Sequence, residues 1–598
     1  MHTIFGKPWF LNLLLSAAIF ALALLPRACA LDRFVTADEA KWVYRSAQFL
    51  AALLQGQPAG TSVNLTPAVT TTWLGSAGLW AYYQQQPDAP PLVDWLLAQP
   101  EFRTDLPLLV AARWPGVLLS ALLVVLLFWQ ARALFNLRIA LVGALFIALD
   151  PHTIALSRVL GHDIWAALFA SVSLLALLLA ARAPDRWWLW ALSGAAAGLA
   201  CLSKAPAFFL LPFAGLLGVV HIWRQRDRWR WWLARFALWG GAAYLAFVLL
   251  WPAAWVEPLG RPWAVVNNAF LSATDTEEAE AENYWRVPEL GPWYYVVNGG
   301  FKLSPLVLGG VGLLLIFGAA TLARRRDALV ESPLFWLLAF ALLFTAFMTL
   351  GGKRSSRYIL PIFPALALVA AAGWDELFGW ATAGFSAAAK KALSGAYLAG
   401  LTVAAAVVLL PSAPYYLTYY NPLFGGAAAA QRWVKIGWGE GLDQVGRFLQ
   451  RELPGSRVGT AYASTVAPFF SGDIAGVTSD RLDYLVLYSK QVQSGEPSPA
   501  FIEYFEHSGP IFSVNLQGLH LADVYPGPAL QPVAAGESAG PATPIAYRPL
   551  VAVGRIGEPL VVDVIWQGGE PSPVAVSLRA ADGATELAAA TGQVSPLA

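Results

Sequence analysis

The chain has 598 residues, 57% of them hydrophobic and 13% charged, with a mean hydropathy of +0.54. That balance excludes an ordinary soluble protein and indicates a polytopic membrane protein. The net charge of +1 excludes a bulk electrostatic affinity for nucleic acid, and the two cysteines, Cys29 and Cys201, give neither a disulfide framework nor a metal-type spacing.

The first apolar run, "WFLNLLLSAAIFALALLPRACA", ends in Ala28-Cys29-Ala30, a small-residue pattern like a leader cleavage site. Its length of about 20 residues and its weak N-terminal charge favour a first span over a cleaved leader. Further apolar runs lie near 106–131, 139–157, 164–181, 188–203, 205–223, 236–255, 304–322, 333–350, 358–373 and 392–412. Together with 9–30 they predict about eleven transmembrane helices. With the N-terminus in the cytoplasm, the loops carrying Arg132 and Arg138, Arg182 and Arg186, 224–230, 323–327 and 389–391 fall inside, and each is basic, as positive-inside retention requires.

The loops 31–105, 158–163, 256–303 and 351–357, and everything after about residue 412, then fall outside. The first of these opens with "FVTADEAKWVYRSAQFLAALL". Here Asp38 and Glu39 begin a helical pattern with Thr36 as its N-cap and with Val43, Ala47 and Leu50 on one face. The pattern predicts an amphipathic helix lying along the outer surface with a carboxylate at the membrane edge; the plainer alternative is that the acids complement the helix dipole. A second acid stands in "SRVLGHDIWAALF", where Arg158, His162 and Asp163 mark the mouth of the fourth span. The acidic run "EEAEAE" (277–282) reads as a solvated segment.

The loop "KRSSR" puts Lys353, Arg354 and Arg357 within five residues on the side where positive charge does not set topology. Snorkelling to lipid headgroups is one account; an anion site is preferred, because three cations there cost insertion energy that a bound anion offsets. Carboxylates facing cations at one membrane face suit a base that deprotonates a nucleophile while cations hold an anionic leaving group. Phosphate is the natural leaving group, since Arg binds it through paired hydrogen bonds and Lys as a point charge.

The segment 411–426, "PSAPYYLTYYNPLFGG", closes the membrane region with turn residues. Predicted helices "GLDQVGRFLQREL" and "SPAFIEYFEHS" then alternate with predicted strands "RVGTAYAS", "LDYLVLYS" and "IFSVNL", which suggests an extracytoplasmic α/β domain over 413–530. The remainder, 531–598, with "PLVAVGRI", "PLVVDVIW" and "VAVSLRA", reads as a β-rich tail, an incomplete β-sandwich.

Several segments in order, namely "ADE", "RWPGVLLSALL" (113–123), "DPHTIALSRVLGHD" (150–163), "LSKAPAFFLLP" (202–212), "GPWYYVVNGGFKLSP" (291–305) and "KRSSRYILPIFPAL" (353–366), resemble the GT-C membrane glycosyltransferases. Among these the chain resembles the protein O-mannosyltransferase (family 39) and aminoarabinose-transferase-like branch, over about the first 425 residues. The resemblance implies a GT-C-type membrane domain over 1–412 and an inverting transfer of a hexose or pentose from a polyprenyl-phosphate donor. The acceptor would be a protein, lipid or glycan at the outer face. Carried over by position, Asp38 is the expected base, Glu39 its orienting partner and Asp163 a further catalytic acid. Lys353, Arg354, Arg357 and Lys302 are expected to hold the donor phosphate, and Tyr358, Arg158, His162 and Lys204 to line the substrate site.

No cofactor is expected, and a divalent metal is the disfavoured alternative, since His152 and His162 are isolated. Relatives carry His-Pro where this chain has Thr66-Pro67, so any role of that histidine is absent or moved. The Trp-Trp-Asp signature of oligosaccharyltransferases is also missing. The competing function is a non-enzymatic carrier of a lipid or small anion, which would call for repeated halves and broken helices with polar residues near mid-membrane. The sequence shows neither.

Overall fold

A computed structural model describes residues 9–64, 66–274, 284–324, 330–479 and 481–527, with the backbone of five further strands between 531 and 594. The chain is a polytopic helical membrane protein. Among the described residues seven helices are long and apolar enough to cross a bilayer: Trp9–Ala28, Leu106–Leu134, Asp163–Arg182, Ala205–Arg224, Arg226–Leu250, Ile362–Ala381 and Ala387–Ser412. Two bent pairs, Leu137–Leu149 with Pro151–Ser157 and Gly291–Lys302 with Pro305–Phe317, raise the number to nine if each crosses as one span. Trp187–Ser203 and Pro333–Thr349 are shorter apolar helices. The first pair bends by 57° where Pro151 opens the second segment, and Asp150 caps it by accepting from the Thr153 N–H at 2.7 Å.

Polar contacts sort the connecting loops into two groups. At one end, Arg138 Nε lies 2.5 Å from Asp375 Oδ1, Arg182 donates to the Leu134 carbonyl at 2.8 Å, and Arg224 pairs with Glu331 at 3.2 Å. At the other end, residues near 38, 163, 204 and 357 meet one another. Within the bundle, Trp187–Ser203 runs tightly against Trp229–Leu250. A Cβ at Gly194 or Gly198 would fall 2.1 Å or 2.2 Å from the carbonyl oxygens of Trp239 and Ala243, so the two backbones touch where small residues recur every fourth position.

The helix Glu39–Leu54 differs from its expected surface position. Trp42, Val43, Ala47, Phe49 and Ala51 are all buried, because the helix is enclosed by Val69–Tyr83 and its neighbours as well as by the bundle. A burial stripe this wide marks a helix covered on most sides.

Beyond Ser412 a mixed five-stranded sheet forms from β1 (Arg457–Thr460), β2 (Asp473–Ala475), β3 (Tyr484–Tyr488), β4 (Phe512–Leu516) and β5 (Leu519–Pro526), in the order β2-β1-β3-β5-β4. The β1, β2 and β3 pairings are parallel, and β5 runs antiparallel to both β3 and β4. The period of two along β3 divides the core. Val486 and Tyr488 face the cluster built on helix Leu442–Glu452, while Leu485 and Leu487 face Phe501, Ile502 and Phe505 of helix Pro499–Ser508. Within the expected strand "RVGTAYAS" only the first half is extended, and Ala463–Val466 forms a helical turn. In the tail, β6 (Gln531–Pro532), β7 (Thr543–Pro549) and β8 (Val562–Gln567) pair antiparallel, as do β9 (Ser572–Arg579) and β10 (Glu586–Val594). The run 277–282 and most of "PLVAVGRI" lie outside the described residues.

Candidate active site

By backbone conformation Asp38, not Thr36, is the N-cap of Glu39–Leu54, and its side chain makes no capping hydrogen bond. Glu39 instead reaches back to accept from the Thr36 N–H (2.8 Å) and hydroxyl (3.1 Å). A carboxylate not consumed by capping can point elsewhere. Asp38 Oδ2 lies 3.5 Å from Arg357 Nη1 and accepts the Trp438 indole N–H at 3.2 Å. Among the described residues no hydrogen bond engages Oδ1, and the side chain is 44% exposed.

Asp163, in the first turn of its helix, is buried, ion-paired with Lys204, and 3.6 Å from Arg357 Nη1 through Oδ2. Arg357 therefore bridges two carboxylates that come from different loops. Its guanidinium also lies over the Trp438 ring, 3.8 Å from the centroid. Burial works against the charged guanidinium, but Asp163 and Asp38 outweigh it and bind its proton more tightly than usual. Lys204 sits 4.0 Å from the centre of the Tyr358 ring, which brings that tyrosine into the same cluster.

The rest of "KRSSR" borders this bridge. The loop is fixed where the Gly352 N–H donates to the Ala273 carbonyl at 2.9 Å. Lys353 is exposed. Arg354 has a buried Nε with no hydrogen-bond partner among the described residues, and its Nη1 is 3.9 Å from Glu289.

Other expected site residues are committed elsewhere. Glu39 is fully buried and engaged at both oxygens: Arg113 Nε meets Oε1 at 2.7 Å, Arg113 Nη2 meets Oε2 at 2.5 Å, and the Leu160 N–H donates to Oε1 at 2.8 Å. With both oxygens engaged in this way, Glu39 ties the loop that carries Asp38 to Arg113 and to the Leu160 backbone. Lys302 is buried, donates to the carbonyls of Leu417 (2.9 Å) and Tyr419 (3.1 Å), and lies 3.6 Å from the Tyr420 ring centre. Its ammonium thus ties the chain leaving the membrane region to the end of helix Gly291–Lys302. Arg158 donates to the carbonyls of Cys29 (2.5 Å), Ala30 (2.7 Å) and Pro414 (3.1 Å), which staples the end of the first span. His162 packs edge-on to Trp42, with ring centres 5.0 Å apart, and its Nδ1 is buried without a partner among the described residues.

Two residues of the cluster escaped the sequence reading. Arg113 was visible as a cation within an apolar helix, a position that demands an acidic partner. Trp438 gave no such signal, because nothing in "GWGEG" says that it meets residue 38. Among the described residues no three His, Cys, Asp or Glu side chains group as a metal site needs.

With this geometry in hand, comparison with known proteins is informative. Residues 88–255 match the family model described as dolichyl-phosphate-mannose-protein mannosyltransferase. An undecaprenyl phosphate-alpha-4-amino-4-deoxy-L-arabinose arabinosyl transferase of Pectobacterium atrosepticum is 25% identical over 309 residues, 50% of this chain and 48% of that protein. The membrane region is thus similar to GT-C glycosyltransferases. The match spans about half the length of that curated relative. Solved structures matched by the chain include ArnT from Cupriavidus metallidurans bound to undecaprenyl phosphate, at 15% identity and a TM-score of 0.42, covering 86% of this chain and 97% of that one. The archaeal oligosaccharyltransferase AglB from Archaeoglobus fulgidus, in complex with an inhibitory peptide and a dolichol-phosphate, matches at 14% identity and a TM-score of 0.48, covering 87% and 74%.

Proposed function

We propose that the chain is an integral membrane glycosyltransferase that moves a sugar from a polyprenyl-phosphate donor to an acceptor hydroxyl on a protein, lipid or glycan. The observation that carries this reading is the Asp38–Arg357–Asp163 bridge, which joins a carboxylate with an open oxygen to a fixed cation. Asp163 is held by Lys204 and Arg357, which leaves Asp38 as the carboxylate able to act as base. The acceptor O–H proton passes to Asp38 Oδ1 as the acceptor oxygen attacks the anomeric carbon. The bond from that carbon to the phosphate oxygen breaks, and its electron pair leaves with the phosphate. Attack opposite the leaving group inverts the anomeric centre.

The donor phosphate is a diester with one negative charge and becomes a monoester with a second. Cations that meet the growing charge stabilise the transition state more than the bound donor, which is the condition for acceleration. On this reading Arg354, whose Nε has no hydrogen-bond partner among the described residues, and the exposed Lys353 grip the phosphate, and Arg357 links that grip to Asp38.

The site and the C-terminal domain share the end of the bundle opposite the basic loops, so both are assigned to the outside of the cytoplasm. Reporter fusions placed after residue 430 that work only in the cytoplasm would overturn that sidedness. For the reaction itself, purified protein is incubated with a panel of prenyl-phosphate sugars and released prenyl phosphate is measured. Release is expected, and Asp38→Asn is expected to lower it by about 10²–10⁴ while donor binding persists. A wild-type chain that releases none from any donor would end the proposal.

A further inference from the structure

Asp38 and Arg357 both belong to the membrane region, yet the residue that touches both of them belongs to the C-terminal region. Trp438 lies in the segment "GWGEG", residues 437–441, which is pressed against the chain just before Asp38. The approach is close enough to demand glycine. At Gly439, which has φ of +126°, an added Cβ would fall 2.3 Å from the Val35 carbonyl oxygen. Backbone bonding reinforces the contact, since the Ala37 N–H donates to the Trp438 carbonyl at 3.0 Å.

Behind this segment the soluble sheet holds it in shape. The buried Glu440 carboxylate accepts from the Trp438 N–H at 2.5 Å and from the Tyr488 hydroxyl at 2.9 Å, and that hydroxyl accepts from the Gly439 N–H at 3.0 Å. Tyr488 is the last residue of β3 and is fully buried. A rigid path therefore runs from the middle of the sheet to the Trp438 side chain.

The Trp438 side chain spends its contacts on the candidate active site. Its indole N–H engages Asp38 Oδ2, the oxygen that also faces Arg357, and so leaves Oδ1 open. Its ring face covers the Arg357 guanidinium. Its outer edge reaches the loop before Asp163, where a Cβ added to Gly161 would lie 4.0 Å from the ring. One side chain thus bears on the loops of Asp38, Asp163 and Arg357 together.

We propose that Trp438 is a positioning residue of the transfer reaction, by which the C-terminal domain fixes the rotamer of Asp38 and the plane of Arg357. This rests on the glycosyltransferase reading above. The two contacts separate by chemistry. The N–H orients the base, and the ring face orients the cation that serves the phosphate.

The test compares Trp438→Phe, which keeps a ring face and loses the N–H, with Trp438→Ala, which loses both. Kinetics are measured on the full chain with whichever prenyl-phosphate sugar the wild type accepts. In parallel, Asp38 is footprinted with a carbodiimide and glycine ethyl ester, read by mass spectrometry without any turnover. Trp438→Phe is expected to lower kcat at unchanged donor KM. Trp438→Ala is expected to lower kcat further, by up to about 100-fold, and to raise donor KM. Both variants should label Asp38 several-fold faster than wild type. Wild-type kinetics and wild-type labelling in both variants would overturn the proposal. A wild type inactive with every donor, together with faster Asp38 labelling in the variants, would remove the transferase reading and leave the positioning contact standing.

Discussion

The Arg357 guanidinium lies 3.5 Å from the Asp38 carboxylate although 319 positions separate the two in the chain. The same nitrogen is 3.6 Å from Asp163, so one cation serves two acids. A cation shared in this way is fixed before substrate arrives, which is what electrostatic stabilisation of a transition state requires.

Replacing Arg357 by Gln should therefore lower kcat as well as weaken donor binding, with a combined loss of about 2–4 kcal/mol in kcat/KM. Arg357→Lys should recover part of it, because the charge returns without the planar fork. Steady-state kinetics with a prenyl-phosphate sugar reads both effects, and an Arg357→Gln enzyme with wild-type kcat would exclude the role.

Glu39 should behave as a structural residue. Glu39→Gln leaves Arg113 buried beside a neutral partner, which is expected to cost about 3–5 kcal/mol of stability. Thermal unfolding in detergent should show a large drop, and any loss of activity should follow the fraction of folded protein. A Glu39→Gln protein of normal stability with no turnover would return Glu39 to the chemistry.

Lys302 is expected to matter for the same kind of reason. Lys302→Met removes the donor to Leu417 and Tyr419, with a cost of about 1–3 kcal/mol in stability. Donor KM of the folded fraction should stay at the wild-type value. A raised KM would put Lys302 back along the path of the donor phosphate.

The C-terminal sheet carries a pH-sensitive pair. His520 Nε2 lies 2.6 Å from Asp523 Oδ2, and that hydrogen bond raises the histidine above its ordinary range. Asp523 is held below the ordinary carboxylate range by His520 and Ser513 despite its partial burial. The histidine's contribution to stability is complete below its unfolded titration and is lost as pH rises through the folded one. The aspartate's is complete above its unfolded titration and is lost as pH falls through the folded one. Stability from this pair should therefore peak between about pH 4 and pH 6.5, the unfolded values of the two groups. Thermal unfolding against pH should show the alkaline decline, and His520→Gln should flatten it.

Periodicity made the apolar helices legible, because crossing a bilayer imposes a length and a composition that few other structures need. The acids and cations were legible too, since charge beside an apolar run stands out. Their partners were not. Glu39 and Asp38 are adjacent and chemically alike in sequence; what separates them is Arg113, 74 positions away, which claims one carboxylate and spares the other. For Lys302 and Arg158 the sequence shows a charge but does not show the backbone carbonyls each one donates to. Strand β5 was missed for a related reason. It is paired on both edges, by β3 and β4, and is mostly buried along its length, so "LHLADVYP" lacks the alternation of a half-exposed strand.

The contact between Trp438 and Asp38 spans 400 positions, and this sets a schedule. At ordinary synthesis rates of about 5–20 residues per second, roughly 20–80 seconds separate the appearance of Asp38 from that of Trp438. Throughout that interval the early spans sit in the bilayer with Asp38 lacking its contact with Trp438. Alignment comes only after the last span has inserted and the strand ending in Tyr488 has closed into its sheet behind the 437–441 segment. A chain stalled or truncated before that point carries every ionisable residue of the candidate site without the contact that orders Asp38 and Arg357, so a region made late completes a site whose charged groups were made early.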